Sequence, residues 1–163
     1  MKLTNILLEA QITDAETLVG QIEKSIKSTF PKSFVKVVFQ PKHFKPSIYI
    51  MFAVGKDTSQ WPYKIEQNDI SLTKAHIWGM EKDGKLNDKI QFEASQGGSI
   101  LAKPEPGSHM AYSSVKVGLR KKTGTPEQIL KHIDSYFKKL KETLKKNRDK
   151  IPEDHLKLID KNF

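Results

Sequence analysis

A chain of 163 residues, 37% of them apolar, is long enough to bury a core without covalent staples. It contains no cysteine, which excludes disulfides, thiolate zinc sites, thiol nucleophiles and a lipoprotein anchor, and suits a reducing compartment. The formal charge of +9 attracts polyanions whatever the fold.

No window approaches the roughly 20 apolar residues that span a bilayer. The opening "MKLTNILLEAQ" lacks the h-region of a signal peptide. These features predict a soluble, cytoplasmic protein with no membrane partner. From Thr13 onward, Thr13 and Glu16 form a capping box, and Leu18, Val19, Ile22, Ile26 and Phe30 share one helical stripe that Pro31 stops. Strands follow at 33–40 and 46–55. The second is apolar on both faces from Ile48 to Val54, which places it in the middle of a sheet or at an interface. Between them "PKHFKP" (41–46) is a basic-aromatic turn, and Trp61 in "SQWPYK" is a Pro-flanked aromatic suited to docking a partner.

The stretch from Ser71 to Ser95 reads as a hairpin. Asp83-Gly84 has the signature of a two-residue type I′ turn, which sets Lys82 opposite Lys85. Counting outward pairs Thr73 with Ala94, Ala75 with Phe92 and Ile77 with Ile90 on an apolar face. The other face pairs Lys74 with Glu93, His76 with Gln91 and Trp78 with Lys89. Residues 96–110 read as a long Gly/Pro-punctuated loop. "SVKVGL" (114–119) continues the sheet with Val115, Val117 and Leu119 inward and Lys116, Gly118 and Arg120 outward. After a basic turn, Arg120-Lys121-Lys122, the last helix has Thr125 as N-cap, Pro126 at its first position and Gln128 closing the box. Its buried stripe is Ile129, Ile133, Tyr136/Phe137, Leu140 and Leu144, and the tail 148–163 is peripheral. The predicted architecture is one α+β domain over 1–163: an antiparallel sheet of four or five strands, with an N-terminal and a C-terminal amphipathic helix on one face. The other face is left partly open.

From Ser114 to Lys150 twelve Lys or Arg stand against four Asp or Glu. On the last helix the lysines spread over the whole solvent half, which is the pattern of a solvated surface. The open sheet face is more informative. Lys74, His76, Trp78, Lys89, Lys116 and Arg120 share it in this register, with Lys121 and Lys122 adjoining. Aromatic rings among cations on a sheet stack unpaired bases and neutralise their phosphates. The plainer account is a solvated basic turn, with Trp78 covered by the 96–110 loop or by a second subunit.

Enzyme signatures are sparse, and no catalytic set, metal site or cofactor is predicted. His43, His76, His109, His132 and His155 stand singly, without metal-ligand spacing. "VGKDT" lacks the first glycine of a phosphate loop, and "QGGS" is a weak anion nest. Glu66, Asp69, Glu93 and Glu105 are available carboxylates. The leading reading is a non-enzymatic binder of single-stranded DNA or RNA. The alternative is a protein-interaction module, a subunit, adaptor or inhibitor that self-associates or binds an acidic protein, of a composition common among small viral proteins. A third is a small enzyme with its site under the 96–110 loop or between subunits.

Overall fold

The computed structural model of the chain describes residues 11–42, 44–55, 69–96, 99–104, 106–109, 113–117, 121–153 and 156–157. Helix α1 spans Ala15–Thr29. Its cap is Asp14, one residue later than the sequence suggested: the Asp14 carboxylate accepts from the Thr17 N–H at 2.9 Å and from the Thr17 hydroxyl at 2.7 Å. Those bonds hold the Asp14 carboxyl below the usual range. Phe30 ends the helix as its C-cap, ahead of Pro31.

Strands β1 (Phe34–Gln40), β2 (Ser47–Gly55), β3 (Asp69–Met80), β4 (Leu86–Gln96) and β7 (Lys121–Gly124) form one antiparallel sheet in the order β1-β2-β3-β4-β7. Strands β5 (Ser99–Ala102) and β6 (Ser113–Lys116) pair separately. Helix α2 spans Pro126–Lys146 and passes into a short 3-10 turn, Arg148–Lys150. Its capping box is as predicted: the Gln128 N–H donates to Thr125 Oγ1, and the Thr125 N–H donates to Gln128 Oε1. The fold is α+β, with one five-stranded antiparallel sheet and the two predicted helices.

Both helices cover one face of the sheet. Leu18, Ile22 and Ile26 of α1 and Ile129, Ile133, Phe137 and Leu140 of α2 form one cluster with Ile48, Ile50, Phe52, Ala75, Ile77, Ile90 and Phe92. Phe52 sits at its centre, its ring 4.9 Å from Phe30 and 4.8 Å from Phe137. Each such fully buried side chain contributes about 1.5–3 kcal/mol. A polar pair lies within the core, Thr73 Oγ1 with the Tyr136 hydroxyl at 2.9 Å. The apolarity of β2 on both sides follows from its place between β1 and β3, with Met51 and Ala53 buried on the face away from the helices.

Three expectations are corrected. The β3–β4 register is shifted by two residues from the predicted pairing: Ala75 faces Ala94, His76 faces Glu93, Ile77 faces Phe92 and Trp78 faces Gln91. A shift of two preserves which side chains share a face. Its cause is local. The Gly84 N–H donates to the Glu81 carbonyl at 2.9 Å and the Glu81 N–H to the Lys85 carbonyl at 2.8 Å. The loop is therefore Lys82-Asp83-Gly84, three residues instead of two. That turn sets Met80 opposite Leu86, and a bulge at Gly79, φ +104°, sets Trp78 opposite Gln91: between the two pairs lie one residue of β3 (79) and four of β4 (87–90). Second, 99–102 is a strand, not loop, and Ile100 and Val117 join the helix-side core. Third, the segment expected to continue the main sheet pairs elsewhere, 113–116 with β5, while Lys121–Gly124, expected as a basic turn before the helix, is strand β7, pairing Lys121 with Glu93 and Lys122 with Phe92.

The Gly79 bulge also turns the hairpin tip toward α1. Trp78 and Met80, two apart, would ordinarily share a face, yet Met80 is buried in the helix-side core. The tip is fastened there: the Ala15 N–H donates to the Gly84 carbonyl at 2.7 Å, and the Leu86 N–H to the Thr13 carbonyl at 2.9 Å.

Candidate nucleic-acid interface

On the sheet face away from the helices, cross-strand rows follow from the register. One row is Val38, Tyr49, His76, Glu93, Lys121, and the next is Gln40, Ser47, Trp78, Gln91, Thr123. Three rings make a continuous ladder across them. Tyr49 and His76 lie 5.0 Å apart, and His76 stacks on Trp78 at 5.1 Å with only 15° between the planes. All three are half-buried, and burial pushes the Tyr49 hydroxyl up. Trp78 is the last side chain of β3 on this face, because Gly79 follows it and Met80 is turned into the core. The flank of the indole away from His76 therefore has no neighbour from its own strand.

Beyond Tyr49 the face becomes apolar, where Met51 and Ala53 pack with Phe34. Cations frame the ladder without entering it. Lys36 is exposed on β1, Lys74 half-buried beside Met51, and Lys121 exposed beyond Glu93. Lys89 is exposed and alternates with buried Ile90, on the same side as Gln91. Glu93 places one carboxylate next to His76, where the predicted register had set it against Lys74.

The predicted site residues thus divide. Lys74, His76, Trp78, Lys89 and Lys121 share the face. Lys122 does not: in β7 it pairs with core-facing Phe92, and its charge is felt by His132 of α2, on the helix side. Lys116 belongs to β6, outside the five-stranded sheet. Arg120 and Trp61 lie outside the described residues, as do Glu66 and Glu105. Tyr49 was missed because it stands in a strand that reads as uniformly apolar. Its signal was its position two residues from Met51 and Ser47, which gives it the same face.

Other features lie on the helix side. The Glu127 carboxylate accepts from the Ile12 N–H at 2.7 Å, tying the segment before α1 to the start of α2. His132 lies edge-on to Phe92 at 5.5 Å; burial, and secondarily Lys122, lower its pKa. A groove of about 710 Å³ runs between the helices, lined by polar side chains such as Gln21, Lys24, Ser25 and Asp134 and by apolar Leu130. Among the described residues no three His, Asp or Glu side chains are placed to hold a metal, and no helix is long and apolar enough to cross a membrane. The arrangement on the sheet face can stack planar rings and attract anions. No known protein family matches the chain, and neither a curated protein nor a solved structure is detectably similar to it.

Proposed function

We propose that this chain is a non-enzymatic protein that binds single-stranded nucleic acid across the sheet face opposite its helices, in a reducing, cytoplasmic setting. The observation that carries the reading is the Tyr49–His76–Trp78 ladder, which ends in Trp78, the last side chain of β3 on that face. A base stacked there extends the ladder by one ring, and such stacking contributes about 1–3 kcal/mol per base without demanding a sequence. Lys36, Lys74, Lys89 and Lys121 frame the ladder and supply the phosphate contacts. Glu93 beside His76 opposes a phosphate on the aromatic row, so the backbone runs along the lysine margins and the bases point inward. Lys122, on the helix side, has no part in this interface.

The test is fluorescence anisotropy with labelled (dT)12, its RNA counterpart and a 12-base-pair duplex, at several salt concentrations. The expected result is preference for single strands, with affinity falling as salt rises. Trp78→Ala weakens single-strand binding about 5- to 150-fold, the equivalent of roughly 1–3 kcal/mol, and leaves the salt slope unchanged. Equal affinity for duplex and single strands with no effect of Trp78→Ala would reduce the interaction to a basic protein meeting a polyanion.

A further inference from the structure

The connection between β1 and β2, residues 41–46, carries the most conspicuous side chain outside the ladder. Phe44 is 97% exposed, the one large apolar side chain so exposed among the described residues. Lys42 and Lys45 are exposed on either side of it, and Pro41 and Pro46 stand half-buried at the two ends. Two prolines fix φ at the base of the turn and restrict the conformations open to its tip. An aromatic ring held in water on a stiffened basic turn is arranged for contact with something flat and anionic.

The register says where that turn projects. It leaves the sheet at Gln40 and re-enters at Ser47, which lies directly opposite Trp78. Three residues of chain from Ser47 to Phe44 reach at most about 10 Å. One strand spacing adds about 5 Å, so the Phe44 and Trp78 backbones stand within about 15 Å. That is the span of four to five nucleotides at roughly 3.4 Å each. Trp78 is also the ring of the ladder nearest the turn, since its row is the one the turn joins.

We propose that Phe44 is a second base-stacking residue of the same interface, and that a bound single strand passes from Trp78 off the sheet and over the β1–β2 tip. Lys42 and Lys45 contact its phosphates there. The inference rests on the reading of the ladder as a nucleic-acid platform and extends its footprint to two stacking points joined by a few nucleotides. A ring so exposed has no role in the core, so its removal tests contact without testing stability.

The experiment compares Phe44→Ala, Phe44→Trp, Trp78→Ala and the Lys42→Gln/Lys45→Gln pair on labelled (dT)12 and on vesicles of phosphatidylserine and phosphatidylcholine. Phe44→Ala is expected to melt as the parent does and to bind (dT)12 about 5- to 150-fold more weakly with an unchanged salt slope. Phe44→Trp restores affinity, and its added emission is quenched by (dT)12. The double lysine variant lowers the slope of log affinity against log salt by about 1.4, two phosphates at 0.7 each. Parent-like affinity for Phe44→Ala alongside a loss in Trp78→Ala overturns the tip and leaves the platform standing. Parent-like affinity in both overturns the platform and the tip together. Loss of vesicle binding in Phe44→Ala with unchanged (dT)12 affinity overturns the proposal in favour of a membrane-surface contact.

Discussion

Gly79→Ala is the sharpest test of how the sheet is built. A Cβ at position 79 would lie 3.1 Å from Ile90 Cα and 3.1 Å from the Lys89 carbonyl oxygen, both backbone atoms, and 3.2 Å from Ile90 Cγ2. Positive φ for an L-residue costs about 1–2 kcal/mol. Pushing two backbones apart in a packed region adds about 1–3 kcal/mol. The expected loss is then about 2–5 kcal/mol, which for a urea slope near 2 kcal/mol/M lowers the midpoint by about 1–2.5 M. Gly84→Ala is the internal control. Its φ is also positive, at +93°, but its Cβ would meet nothing closer than Phe39 Cε1 at 3.5 Å, an ordinary contact. Only the backbone term applies there, about 1–2 kcal/mol. Urea melts followed by far-UV circular dichroism rank the two. A Gly79→Ala loss no greater than that of Gly84→Ala would refute the claim that close approach of β4 requires glycine at the bulge.

Three further outcomes follow from the same structure. Thr125→Ala removes the acceptor for the Gln128 N–H and is expected to lower stability by about 1 kcal/mol, read as a lower urea midpoint at constant slope. Tyr136→Phe leaves the buried Thr73 hydroxyl without its partner and costs about 1–3 kcal/mol. Adding Thr73→Val recovers part of that loss, and a double-mutant cycle measures the recovery. Because burial and Lys122 hold the His132 pKa below its ordinary 6.5, the unfolded chain binds that proton more readily than the folded one. Stability therefore rises with pH between the depressed folded value and 6.5, is flat above, and is lost as pH falls through that window. His132→Asn removes this component, so melting temperatures of the two proteins, compared across pH 5–8, converge in slope above about 6.5 and diverge below it.

Local chemistry was legible in the sequence wherever a residue type answers to a single geometry. Thr125, Pro126 and Gln128 could hardly specify anything but a helix start, and the stripe from Ile129 to Leu144 fixed its buried side. The hairpin shows where such reading stops. Asp83-Gly84 marks a turn but not its length, and one extra loop residue together with a bulge at Gly79 moved the pairs from Ala75 to Trp78 by two. The two faces survived because the period of a strand is two. Partner choice was not legible. Alternation in 114–119 says that the segment is extended, not which strand it meets, and Lys121-Lys122 has little preference for sheet. It is a strand because β4 offers it an edge. That one pairing also sends Lys121 and Lys122 to opposite faces. The proximity of the 41–46 turn to Trp78 needed the β2–β3 register, a contact between residues some thirty positions apart.

The strand order has a consequence in time. Strands β1 to β4 pair in the order in which they occur, so each pairing joins consecutive strands and none waits on a later one. The last strand and the helix that completes the core, β7 and α2, begin only at Lys121 and Pro126. A nascent chain that has reached residue 96 can hold a four-stranded meander, yet Ile50, Phe52 and Phe92 still lack the Ile133 and Phe137 that cover them in the finished cluster. Docking of the final helix is the step that withdraws this surface from other chains, and a chain interrupted before it presents an apolar sheet face to its neighbours.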